Sequence, residues 1–184
     1  AFVQSELAPH ANLVDELDSV PPDLYARVRQ KAIEQGLFAV NIPREVGGQG
    51  FGVLGMMVYR EELAKTSMAM SYTVWGPAPI LLYCTPEQRQ EYLLPAVRGS
   101  KVDAFAITEP NAGSDAAAME TTAVRQGSDY VLNGRKIFIS NGDAADFVIV
   151  CALTDKEKRA HGGVSAFLVD QGTAGFHVAS IIPT

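Results

Sequence analysis

Along roughly the first hundred residues the apolar positions recur at helical spacing, and after Gly99 the period shortens to that of strands. Leu24, Val28 and Ala32 stand at i, i+4 and i+8 with Tyr25 and Ile33 beside them, which predicts an amphipathic helix ended by Gly36. Residues 53–65 repeat the pattern, with Leu54, Met57, Val58 and Leu63 set among Arg60, Glu61, Glu62 and Lys65. A loop from Pro43 to Gly50 separates the two. Residues 68–84 are apolar throughout and predict a buried helix, bent where Gly76, Pro77 and Pro79 remove backbone hydrogen bonds. Thr85-Pro86-Glu87-Gln88 places an N-cap hydroxyl, a first-turn Pro and a Gln three residues after the cap, so a new helix starts there.

The later part predicts strands over 103–108, 119–126, 130–139, 147–153, 164–169 and 176–182. Asn133-Gly134, between Tyr130-Val131-Leu132 and Arg135 to Ile139, carries the dipeptide of a tight hairpin. A helical run followed by a strand run predicts an α+β chain: an all-α domain over 1–102, then an antiparallel sheet or partial barrel over 103–184. The charged stretch Asp155 to Arg159 holds no apolar residue and reads as a solvated loop.

Composition narrows the partners. With 47% hydrophobic and 20% charged residues the chain can bury a core, and a formal charge of -6 opposes a sequence-independent nucleic-acid binder. Cys84 and Cys151 are the two cysteines and lie far apart, which points to a reducing compartment rather than a disulfide framework. His10, His161 and His177 are scattered without metal-ligand spacing or triad order. No run reaches the length of a membrane span and no signal-peptide pattern opens the chain, which begins at Ala1 and is expected to be processed or trimmed there.

The stretch richest in chemistry is Phe105-Ala106-Ile107-Thr108-Glu109-Pro110-Asn111-Ala112-Gly113-Ser114-Asp115. Gly113 lets a backbone approach a ligand and Ser114 offers a hydroxyl and an N–H. The same residues also suit a purely structural turn, since no Lys or Arg lies among them and Glu109 and Asp115 are acidic. The glycine spacing excludes a Walker loop and a dinucleotide fingerprint.

Ala106 to Asp115 resembles the acyl-CoA dehydrogenase signature, in which Ser/Thr-Glu-Pro is followed by Gly-Ser/Thr-Asp. Lys136-Ile137-Phe138-Ile139-Ser140-Asn141-Gly142 is similar to that family's second flavin segment, Ile42-Pro43 with Gly47 to Gly50 to its early loop, and Thr85 to Gln88 to its capped helix. The resemblance runs over essentially the whole chain. It implies FAD held by Phe105, Ala106, Ile107 and Thr108 beside the ring, by Gly113 and Ser114 at the pyrophosphate, and by Phe138, Ile139 and Ser140, with Phe138 packing on the flavin and the Ser140 hydroxyl facing N5. Ser114 and Trp75 are implied on the substrate side. Read on their own, Phe138 in an alternating strand and a lone Trp75 suit plain core, and Ser140 suits a turn. Phe138 replaces a family Trp and Cys84 a family Gly. A bulky Trp75 is expected to favour a short acyl group.

The resemblance further implies α,β-dehydrogenation of an acyl-CoA, an electron-transfer flavoprotein or similar acceptor, a homotetramer or dimer, and a bacterial cytoplasm or mitochondrial matrix. The family's general base sits on a C-terminal four-helix domain, so no catalytic residue is expected before Thr184 and the 184 residues alone are expected to be inactive and mostly free of FAD. Two other readings stay open: a non-catalytic FAD or acyl-CoA binding module completed by a partner, and a nitroalkane oxidase or flavin monooxygenase on the same fold.

Overall fold

In the computed structural model, which describes residues 1–182, the chain winds from Val3 into α1 (Ala11–Leu17) and turns at Asp18 into α2 (Pro22–Glu34). Leu24, Val28 and Ala32 are buried on one face of α2, each larger side chain contributing about 1.5–3 kcal/mol by leaving water. The Gly36 and Leu37 amides donate to the Ile33 and Ala32 carbonyls and close its end. Helix α3 (Val53–Leu63) buries only Leu63. Four of its other apolar side chains, Val53, Leu54, Met57 and Val58, are 80%, 76%, 65% and 52% exposed.

The predicted helix over 68–84 is broken, not merely bent. Helix α4 (Met68–Tyr72) is capped by the Ser67 hydroxyl, the chain is irregular from Thr73 to Ala78, and tight turns resume at Pro79–Tyr83. Thr85 and Gln88 exchange both bonds of the capping box and start α5 (Pro86–Gln88). A wide turn over Arg89–Leu93, in which the Leu94 amide reaches back to the Arg89 carbonyl, leads into α6 (Leu94–Val97). Pro95 cannot donate a helical hydrogen bond and its ring clashes with the preceding turn, and the wide turn relieves both constraints. These elements form one unit, Ala1–Lys101, and Val102–Ile182 form another. Among the described residues no helix is long and apolar enough to cross a membrane.

The second unit holds a five-stranded sheet of β1 (Asp103–Ala106), β2 (Thr122–Gln126), β3 (Asp129–Asn133), β4 (Phe147–Leu153) and β5 (Val164–Asp170). The α+β architecture is as expected, with a mixed sheet: β2–β3 and β4–β5 are antiparallel, while β1 and the start of β2 run parallel to β4. Strand β4 is the spine, with six of its seven residues buried, as its unbroken apolar run requires.

Three strand expectations are corrected. The hairpin turn is Gly127-Ser128, joining Gln126 to Asp129, with Gly127 at φ +62° in the position a two-residue turn reserves for glycine. Asn133-Gly134 is no turn, and residues 134–139 form no strand. A Cβ on Gly134 would lie 2.2 Å from the Thr121 hydroxyl, so this glycine lets the chain pass close beside Thr121, just ahead of β2. The strand after Met119 begins only at Thr122, because the Glu120 and Thr121 amides are bound by the Glu109 carboxylate. Residues 176–182 form no strand; turns bearing Gly172 and Gly175 precede them and Phe176 packs on the cluster of Ala104, Ala106, Ala145 and Val148.

Candidate functional site

Strand β1 alternates as a half-buried strand should, with Ala104 and Ala106 in the core and Phe105 42% exposed between them. The ladder stops at Ala106, short of the expected Thr108, because the next carbonyl is taken by a side chain: Lys136 Nζ donates to the Ile107 oxygen at 3.0 Å. Ile107 packs on a second cluster of Ala112, Met119, Cys151 and Leu153. The Glu109 and Ala112 backbones then bond each other in both directions, at 3.0 and 3.1 Å, folding Pro110 and Asn111 into a two-residue turn. Gly113 and Ser114 follow, exposed and, among the described residues, without a protein hydrogen bond, and a Cβ on Gly113 would meet nothing within 4 Å. Asp115 ends the loop by accepting the Ala117 amide at 3.1 Å.

A segment far along the chain is fastened beside this one. The Ile137 amide donates to the Thr108 carbonyl at 3.0 Å, and Lys136 Nζ lies 2.7 Å from Glu109 Oε1. Glu109 also accepts the Glu120 amide at 2.6 Å and the Thr121 amide at 3.0 Å, so three donors hold one carboxylate. Both charged side chains are nearly covered, 10% exposed for Lys136 and 3% for Glu109. Burial alone would raise the Glu109 pKa, but Lys136, Thr121 and the backbone N–H groups of Glu120 and Thr121 outweigh it and hold the pKa at about 2. Such a carboxylate is a lock between segments and a poor base.

Beyond Ile137 the chain holds Phe138 at φ +56°, a conformation that is strained for an aromatic residue, and leaves its ring 71% exposed. Phe138 is therefore not core. Ile139 packs beside Ala104 and Ala106, and Ser140 is exposed at the start of the next turn. The structure thus brings Phe105–Thr108 and Phe138–Ser140 to one locality, with the Gly113–Ser114 loop one turn further along. The Thr108 and Ser114 hydroxyls have no protein partner among the described residues. Of the residues expected at the site, Ala106 differs, since its side chain belongs to the core and only its backbone can face a ligand. Trp75 belongs to the helical unit, where its ring lies 4.2 Å from Tyr72 and carries the Arg60 guanidinium 4.2 Å above it.

Residues 1–100 match the acyl-CoA dehydrogenase N-terminal domain, and residues 104–184 match the acyl-CoA dehydrogenase middle domain. This chain belongs to the acyl-CoA dehydrogenase family. A short-chain-specific acyl-CoA dehydrogenase of Clostridium acetobutylicum is 37% identical over 98% of this chain and 48% of its own length. The NADH-dependent acryloyl-CoA reductase of Anaerotignum propionicum is 39% identical over 98% and 46%. Among solved structures, the FAD complex of PigA superposes with a TM-score of 0.84 at 33% identity, covering 100% of this chain and 48% of that one. The chain therefore spans about half the length of the acyl-CoA dehydrogenase relatives it matches.

Two residues that tie this region together were not given a role from sequence. Lys136 lies 27 residues from Glu109, and Arg159 lies 42 from the Ala117 carbonyl it binds. Neither pairing has a local spacing rule to reveal it.

Proposed function

We propose that these residues form the cofactor-side half of an FAD-dependent oxidoreductase that removes hydrogen from Cα and Cβ of an acyl-CoA thioester. The observation that carries the reading is the Thr108–Ile137 junction: beside it in the chain stand the Thr108 hydroxyl, unpartnered among the described residues, and the exposed rings of Phe105 and Phe138. An apolar surface edged by hydroxyl and amide donors fits a flat ring system with polar margins, and an open Gly-Ser loop fits a phosphate. When bound, FAD supplies the hydride acceptor.

In this reading Phe105, Ala106 and Ile107 line the ring with backbone and side chain, and Thr108 donates to its polar edge. Gly113 and Ser114 hold the pyrophosphate, Ser114 reaching the thioester as well. Phe138 covers the ring and Ile139 and Ser140 complete its margin. Donors placed where charge builds up on reduction stabilise it without having to reorganise. The α-proton is taken by a base other than Glu109, whose lone pairs are committed to Lys136, Glu120 and Thr121. Residues 1–184 alone are accordingly expected to show no turnover. Trp75 borders a short acyl pocket, an electron-transfer flavoprotein or similar protein takes the electrons, and the intact protein works as a homo-oligomer in a bacterial cytoplasm or mitochondrial matrix.

The test is anaerobic mixing of the full-length FAD-loaded protein with butyryl-CoA, with nitroethane as the second substrate. Bleaching of the flavin by the thioester alone supports the reading. Bleaching only by nitroethane, or by neither, refutes it.

A further inference from the structure

The charged stretch that reads as a solvated loop does more than face water. Asp155 Oδ1 accepts the Glu157 and Lys158 amides at 3.0 and 3.1 Å, and the Gly163 carbonyl accepts those of Thr154 and Asp155 at 2.8 and 3.1 Å. The loop is thus closed on itself at the end of the β4–β5 hairpin. Its Arg159 sits at φ +44°, outside the usual range for a side-chain-bearing residue, and its Nη2 donates to the Ala117 carbonyl at 3.0 Å and the Met119 carbonyl at 3.3 Å. Those carbonyls belong to the turn Ala116–Ala118 and to Met119 at its end, and only Asp115 separates that turn from Gly113-Ser114. Ala112 and Met119, both buried at 2%, anchor the two ends of that loop, and Asp115 holds the Ala117 amide from the opposite side. Arg159 supplies the long-range tie from outside the loop.

Resting on the assignment of Gly113 and Ser114 to a phosphate and thioester site, we infer that Arg159 is a positioning residue for that site. It fixes the turn over Ala116–Ala118 and so the direction in which the Gly113 and Ser114 donors point. It does not contact the ligand. A strained backbone at Arg159 fits this role, since such conformations persist where the surrounding bonds over-determine them. Misplacing binding groups by about an ångström is costly even when the displaced groups themselves are unchanged.

The test uses the full-length protein carrying R159A, R159K or R159M, with S114A as the control for the loop itself. FAD affinity is measured by flavin fluorescence on titration into apoprotein, kcat and KM with butyryl-CoA, and folding by thermal midpoint. R159A is expected to weaken FAD binding and raise KM by about tenfold each, with kcat within about twofold, the pattern of lost binding rather than lost chemistry. R159K, which keeps a donor, should recover part of both. R159M keeps the side-chain stem and guards against simple loss of fold. If S114A shifts the constants and the folded Arg159 variants do not, the positioning role is wrong while the loop assignment stands. If S114A shifts neither constant, the loop assignment itself falls.

Discussion

Replacing Glu109 with Gln tests the lock that joins the two site segments. The carboxyl titrates from 4.5 down to about 2 in the fold, a displacement worth about 3 kcal/mol of stability at neutral pH. That is a large share of the roughly 5–15 kcal/mol that holds a domain together. Because the folded value lies below the unfolded one, the contribution is complete above about pH 4.5 and drains away as the pH falls through about 2. E109Q cannot titrate there, and its amide presents a donor where Lys136, Glu120 and Thr121 need acceptors. Urea unfolding followed by circular dichroism should place E109Q about 3 kcal/mol below the parent at pH 7, with the gap narrowing steadily in acid. Combining E109Q with K136M should cost less than the sum of the two, since the second change removes the stranded ammonium. A gap under about 1 kcal/mol at pH 7, or one that stays constant into acid, would refute the account of the pair.

Three further outcomes follow from local features. F138G relieves the left-handed strain of an exposed aromatic, so the thermal midpoint should hold or rise while FAD affinity falls; a lower midpoint with unchanged affinity would make the ring structural. T85A removes one half of the capping box and should destabilise the fold by about 1 kcal/mol, read from urea midpoints, with no change in flavin binding. W75A should move the acyl preference of the full-length protein toward lauroyl-CoA, and a parent enzyme that already prefers lauroyl- to butyryl-CoA would overturn the short-pocket assignment.

Much of the fold was legible because its causes are local. The α2 stripe and the Thr85–Gln88 box depend on neighbours within two turns, and both stand where the spacing puts them. Gly76, Pro77 and Pro79 likewise announced an interruption, although its full width, with helix missing from Thr73 to Ala78, depends on packing around them. Asn133-Gly134 misled because a dipeptide states only what a turn could use. The actual turn two residues before Asp129 was chosen by the β2–β3 register, and the close pass of Gly134 over Thr121 needed the same glycine for another reason. At the candidate site, the resemblance nominates Thr108, Ser114 and Phe138, but it says nothing of the bonds around them. Glu109–Lys136 and Arg159–Ala117 join positions whose separation in sequence carries no periodic signature, and only the sheet topology, with β1, β2 and β5 all paired to β4, makes them neighbours.

The outward stripe of α3 has a practical reading. Val53, Leu54, Met57 and Val58 present branched and thioether carbon to solvent on successive turns. Salting-out anions strengthen the withdrawal of such carbon from water. On a phenyl resin loaded in ammonium sulfate, material displaying the stripe should bind early and elute late in the falling gradient, and material in which it is covered should run ahead. Retention on that column therefore reports, before any spectrum is taken, whether the purified chain carries this face open or closed.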